Sequence, residues 1–265
     1  MGDQTVTETG IPTMNAENKL SNKSLLFGLI AESAQSNRLF VILNRTIKAN
    51  SSDAMIIPMN IRPDDLYFTV SNMKKSHVNG SYIAQEYQEN VMDLLETQDE
   101  LVRLSGACDF VLREGETLRG SFLLPKAVNV FAEERSIKKI AIIGAGSLAR
   151  GLALTLDAYE LHFYDPEIER IMKSSEQVGK ELDINRIDDD LPTDLTAYDL
   201  VINTLDDKVF AQTRFAPLVL DLGVDEAYKI VTKRCVTEDA NAEYLDFSAL
   251  FEPLSHLIYT NYIKD

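Results

Sequence analysis

The chain has 265 residues, 45% of them apolar, which is enough for one large or two ordinary globular domains. Its formal charge of −16, with no run of Lys and Arg to offset it, opposes binding to phosphate backbones and acidic membrane surfaces. Apolar stretches such as 140–143 and 218–220 fall far short of the ~20 residues of a membrane helix, so neither nucleic acid nor membrane is an expected partner.

Residues 1–24 lack the basic start and apolar stretch of a signal peptide and read as a flexible tail on a cytoplasmic protein. Two cysteines, Cys108 and Cys235, sit far apart with no CxxC, so they are expected as reduced packing residues, and no metal site is expected. Residues 24–30 form a short apolar run of strand type, and 38–47 carry helical spacing. A second strand is expected over 54–61. A helix follows from Pro63, with Asp64 and Asp65 near the positive end of its dipole. A strand over 78–84, a helix over 89–96 with Val91, Leu94 and Leu95 on one face, and a hairpin over 110–118 complete the first hundred or so residues. Their alternation favours an α/β domain over 25–124.

A connecting helix over 125–134 leads to a second unit, 125–246. Residues 137–143 form an apolar run of parallel-strand type, broken by a Gly-rich turn. Helices are expected over 148–156 and 166–182, and strands over 161–165, 200–204 and 218–221. Residues 247–262 read as an amphipathic helix within a final segment, 247–265, that returns to the first domain.

The turn Gly144-Ala145-Gly146-Ser147-Leu148-Ala149 places small residues at the first, third and sixth positions, where a dinucleotide pyrophosphate must approach backbone at a helix N-terminus. A strand precedes, a helix follows, and Asp165 ends the next strand 21 positions after Gly144. That spacing points to a Rossmann domain whose cofactor contacts include Gly144, Gly146, Ser147, Leu148, Ala149 and Asp165, with Asn203 and Thr204 at a later strand end. Asp165 either accepts the ribose hydroxyls, which favours NAD over NADP, or caps the helix that begins at Pro166.

From Leu25 onward the chain resembles the shikimate dehydrogenase family, in which an N-terminal α/β substrate domain precedes a C-terminal Rossmann domain. The likeness rests on residues 57–66, on Asn79-Gly80-Ser81-Tyr82-Ile83-Ala84-Gln85-Glu86-Tyr87-Gln88, on Gly106-Ala107-Cys108-Asp109-Phe110-Val111, and on the Gly144 turn with Asp199-Leu200-Val201-Ile202-Asn203-Thr204. The resemblance implies hydride transfer between a nicotinamide and a ring carbon, with a Lys and Asp pair handling the proton. Those two positions hold Gln88 and Leu124, neither of which transfers a proton. The motif's hydroxyl ligands become Tyr82, Ala84 and Asp109, and of the serines that hold the substrate carboxylate Ser33 survives beside Glu32. An alternative register over 68–75 would supply Lys75 as the amine, but Leu66, Val70 and Met73 there follow helical spacing.

The resemblance leaves Ser33, Tyr82, Glu86, Tyr87 and Asp109 as candidates to line a substrate cleft. Three readings follow: a dinucleotide-binding protein that has lost the family reaction and senses a ligand or binds a protein partner, an NAD(P)-dependent oxidoreductase with a different substrate and proton carrier, or a scaffold that binds no nucleotide.

Overall fold

A computed structural model describes residues 24–188, 190, 192–206, 210, 212–238 and 242–264. The expected tail lies outside these residues except for Ser24, as does Asp189 of the acidic run 188–190. The first part of the chain forms β1 (Leu25–Ala31), α1 (Leu39–Ala49), β2 (Ala54–Asn60), α2 (Pro63–Asn72), β3 (Val78–Ile83), β4 (Thr97–Gln98), α3 (Glu100–Ser105), β5 (Phe110–Glu114) and β6 (Thr117–Ser121). They build one sheet in the order β2-β1-β3-β5-β6-β4. β1 pairs in parallel with β2 and β3, whereas β5 runs antiparallel to β3 and β6. The near-unbroken burial of β1 reflects helices on both faces of a parallel pair. α1 buries Leu39, Leu43 and Ile47, one residue per turn, against that sheet.

The helix expected over 89–96 is absent. A single 3₁₀ turn, Met92–Leu94, takes its place, with Val91 and Leu94 still buried. The reason is pairing: Glu96 N–H donates to Leu118 O at 3.0 Å and the Glu96 carboxylate accepts from Leu118 N–H at 2.7 Å, which draws the chain into extended form beside β6. α3, which was not named from the sequence, is bounded by caps. Asp99 accepts from Val102 N–H at 2.8 Å, and Gly106 takes the left-handed C-cap with φ of 78°.

α4 (Leu124–Glu134) then crosses to the second unit: β7 (Lys139–Ile143), α5 (Ser147–Thr155), β8 (Glu160–Asp165), α6 (Ile168–Val178), β9 (Ile184–Arg186), β10 (Thr193–Asp194), β11 (Leu200–Asn203), β12 (Thr213–Arg214), β13 (Leu218–Asp221), α7 (Glu226–Glu238) and β14 (Glu243–Asp246). Its sheet is wholly parallel in the order β14-β13-β11-β7-β8-β9, while β10 and β12 pair separately. The chain reverses direction of growth between β7 and β11, the switch point at which open α/β sheets bind ligands. The molecule is therefore a mixed α/β fold in which an N-terminal sheet domain joins a Rossmann domain.

One buried cluster links the two sheets through Phe122, Leu124, Val128 and Phe131 on the α4 side and Ile140, Ile142 and Leu152 beyond it. The last helix, α8 (Phe251–Ile258), turns back onto α1, where Thr46 and Ser255 share a 2.7 Å hydrogen bond, and Tyr262 stacks on Phe110 at 4.1 Å between ring centroids. Among the described residues no helix is long and apolar enough to cross a membrane.

Leu254 of α8 is wholly buried in the cluster that joins this helix to α1 and β1. Leu254→Ala is expected to lower unfolding stability by ~2–5 kcal/mol in a urea titration, and a loss under ~1 kcal/mol would show that α8 docks too loosely to support the first sheet.

Candidate dinucleotide cleft between the two sheets

The carboxyl ends of the β7 and β11 strands meet at the Gly144 turn. Gly144 N–H donates to Tyr164 O at 2.7 Å, and the residue adopts a φ of 111° that side chains disfavour. A Cβ there would lie 2.2 Å from Thr204 Oγ1, so β7 and β11 approach each other only through glycine. Thr204 fastens the contact by donating both its N–H and its hydroxyl to Ile143 O, at 2.8 and 2.9 Å. Gly146 caps α5, with no atom within 4 Å of where a Cβ would stand, and leaves open backbone in front of a helix N-terminus. Ser147 and Leu148 are half-buried on that edge, and Ala149 is buried where the helix meets the sheet.

Two adjoining clefts open here. The smaller, about 270 Å³, runs between Gly146, Ser147, Leu148 and Thr204 on one side and Gln85, Glu86 and Gln88 on the other. The larger, about 520 Å³, lies under the N-terminal sheet and includes Ser33, Arg38, Tyr82, Glu86 and Lys229. Gln85 spans the two sides, donating from Nε2 to Leu222 O at 3.0 Å.

Of the residues named from the sequence, Ser33, Tyr82 and Glu86 come together on the larger cleft. Glu86 is exposed and accepts from Glu32 N–H at 3.1 Å. Tyr82 is buried, and its hydroxyl has no hydrogen-bond partner among the described residues. Burial, then the charges of Asp109 and Glu86, push its phenol well above the usual range, so it stays protonated.

Gln88 reaches the smaller cleft, 5% exposed, with Nε2 donating to Ile83 O at 3.2 Å. Leu124 does not face it. Leu124 opens α4 with its side chain wholly in the core and lines neither cleft. Tyr87 and Asp109 are likewise held away: Tyr87 donates its hydroxyl to Ile61 O at 2.6 Å, and Asp109 accepts from Leu123 and Leu124 N–H at 2.7 and 2.6 Å. Asp109 is a helix cap, which is what places a carboxylate where no solvent reaches it.

Asp165 ends β8 fully buried, with Oδ1 accepting from Glu167 N–H at 3.0 Å and forming an ion pair with Arg170 Nη1 at 3.7 Å. The helix starts at Ile168 rather than Pro166, with Glu167 as its N-cap, so Asp165 braces the turn before it and lines neither cleft. Asn203 is buried as well, bonding Leu205 O and Asp221 Oδ1, so it braces the strand end beneath Thr204 rather than facing the opening. Asp206, Val224 and Lys229 reach the clefts and were not named from the sequence. Asp206 follows β11 by three residues, and its place just past a strand's carboxyl end was the available signal. Among the described residues no group of three or more His, Cys, Asp or Glu side chains could hold a metal ion.

A shikimate dehydrogenase (NADP(+)) of Geobacter metallireducens is 25% identical over 142 residues, which cover 52% of this chain and 50% of that protein. Over about half of its length the chain is similar to shikimate dehydrogenases. It spans about half the length of the curated relatives it matches. No family model matches. Among solved structures, a shikimate 5-dehydrogenase from Thermus thermophilus in complex with NADP(H) and shikimate superposes with a TM-score of 0.68 at 12% identity, covering 91% of this chain and 95% of that one. A ligand-free 5-ketofructose reductase from Gluconobacter superposes with a TM-score of 0.69 at 18% identity, over 92% and 94%. These likenesses show the fold.

Burial raises the Asp109 carboxyl from 3.8 to about 7. Because the folded value lies above the unfolded one, the stability it contributes is complete below about 3.8 and is lost as pH rises through about 7. Asp109→Asn keeps an acceptor for Leu123 N–H and removes the titration. The parent's stability relative to the variant should fall by about 2–3 kcal/mol between pH 5 and pH 8 in paired denaturation curves, and a pH-independent difference would show that Asp109 is not titrating there.

Proposed function

We propose that this chain binds a dinucleotide at the turn formed by residues 144–149, NAD in preference to NADP, and does not carry out shikimate oxidation. The carrying observation is the pair of positions where the family places its proton relay. One is Gln88, a carboxamide tied to Ile83 O, and the other is Leu124, an alkyl side chain in the core. Neither holds a titratable proton, and each general acid or base ordinarily contributes ~10²–10⁴-fold.

The loop fits the cofactor. Open backbone at Gly146 and the N-terminus of α5 suit a pyrophosphate, with Ser147, Leu148 and Ala149 beside it and Thr204, braced by Asn203, toward the nicotinamide end. A bound dinucleotide supplies hydride-transfer chemistry. The NAD preference rests on Asp165: its charge lies at the end of β8, and Arg170 is drawn to that carboxylate rather than free to clasp a 2′-phosphate. We assign residues 25–124 and 247–265 to the substrate side, 125–246 to the nucleotide side, and the protein to the cytoplasm, where free Cys108 and Cys235 stay reduced.

A second reading, an NAD(P)-dependent oxidoreductase with another substrate, is favoured by Tyr82. It lines the larger cleft, and its protonated hydroxyl, without a partner among the described residues, could donate a hydrogen bond to a ligand carbonyl.

Purified protein is expected to give no shikimate-dependent reduction of NAD or NADP above background in a spectrophotometric assay. Robust turnover would mean that the proton relay lies elsewhere. Calorimetric titration should find NAD bound more tightly than NADP, and Asp165→Asn, which keeps an acceptor for Glu167 N–H, should narrow the gap. Equal affinities in the parent would remove Asp165 from cofactor recognition.

A further inference from the structure

The smaller cleft has two chemically different ends. At one, the N-terminus of α5 offers backbone N–H groups beside Gly146. At the other, the side chains of Glu86, Gln88, Glu89 and Asp206 bring acceptors and negative charge, and among the described residues no lysine or arginine lines the cleft. Gln88 is the buried member of this set. Its Nε2 donates to Ile83 O at 3.2 Å, and its Oε1 has no partner among the described residues, so the carboxamide is fixed as an acceptor on the wall of the cleft. Glu86 uses one carboxylate oxygen on Glu32 N–H, and Asp206 uses Oδ1 on Val224 and Asp225 N–H, which leaves each a second oxygen. Burial holds the Arg150 guanidinium below its usual range, the charge of Glu89 partly offsets this, and Arg150 Nε donates to Ser105 O at 2.8 Å.

With its pyrophosphate on α5, a dinucleotide would present its nicotinamide end to these acceptors. The oxidised ring is a cation with two carboxamide N–H donors, and the reduced ring is neutral. Pyrophosphate, riboses and adenine are the same in both forms, so any repulsion of the phosphates by these carboxylates cancels in the comparison. What remains is the attraction of carboxylates for ring charge, in a cleft that partly excludes water.

We infer that this cleft selects the oxidised form of the dinucleotide over the reduced form, with Glu86 and Asp206 setting the preference and Gln88 Oε1 accepting from the ring carboxamide. This rests on the cofactor reading above and adds to it: a protein that binds the oxidised form without turning it over reports the oxidised fraction of a dinucleotide pool.

The test is the ratio of dissociation constants for NAD⁺ and NADH, measured by calorimetry and by NADH fluorescence, with ADP-ribose as the probe that lacks the ring. If NADP is the tighter binder, the same ratio is read on its oxidised and reduced forms. NAD⁺ should bind about tenfold tighter, equal to ~1.4 kcal/mol. Glu86→Gln, at an exposed position, and Asp206→Asn should each narrow the ratio, and together bring it under about threefold. NADH binding equal to or tighter than NAD⁺ overturns the inference and leaves the cofactor reading standing, as does an unchanged ratio in both variants. Failure of all three probes to bind overturns both.

Discussion

The N-terminus of α4 sits in the interior at the joint between the two sheets, and its first N–H groups have no helical partners. Asp109 answers that requirement with both carboxylate oxygens, on Leu123 and Leu124. Much else follows. α4 is fixed in direction, its buried face of Leu124, Val128 and Phe131 packs across to Ile140 and Leu152, and the Rossmann sheet is held so that its strand ends face those of the first sheet. The cost is a carboxyl pushed up to about 7 by desolvation, which two backbone donors and a distant Lys126 only partly offset.

The same constraint explains why two candidate residues are not where a motif would put them. Asp109, which the resemblance to the family sets at a substrate ligand, turns onto α4 and lines neither cleft. Leu124, which the resemblance sets at a family acid, is an apolar residue at the start of a buried helix and is pulled into the core. Tyr87 is withdrawn in a similar manner, its ring in the core and its hydroxyl spent on Ile61 O. The cleft is lined instead by what those departures leave: Ser33, Tyr82, Glu86 and Gln88 from the first sheet, and Thr204 and Asp206 from the second.

Most of the fold was legible because its signals are local. Apolar runs such as 140–143, the Pro63 helix start and the Gly144 turn each encode one element with its own chemistry. The helix expected over 89–96 failed because apolar spacing at Val91, Leu94 and Leu95 is also satisfied by a 3₁₀ turn, and the deciding partner, Leu118, lies over twenty residues away. α7 and β14 escaped notice for another reason. α7 buries Thr232 and Val236 but few other residues, so its sequence lacks a strong apolar stripe.

The site was less legible than the fold, and the difference is physical. A motif tells which strand end a residue occupies, but not whether its side chain serves the ligand or the scaffold. Asp165 and Asn203 both lie at strand ends that a dinucleotide approaches, yet each spends its hydrogen bonds on nearby backbone or on Asp221. Asp221 continues the chain of bonds to Gly223 N–H and Tyr244 hydroxyl, so β11, β13 and β14 are tied at their carboxyl ends by buried polar groups. Those bonds hold Thr204 and Asp206 at the lip of the cleft without themselves reaching it. The scaffold residues therefore carry much of the positional precision of the site, while the few side chains that meet the opening, chiefly acceptors at one end and backbone donors at the other, decide which charge the cleft will hold.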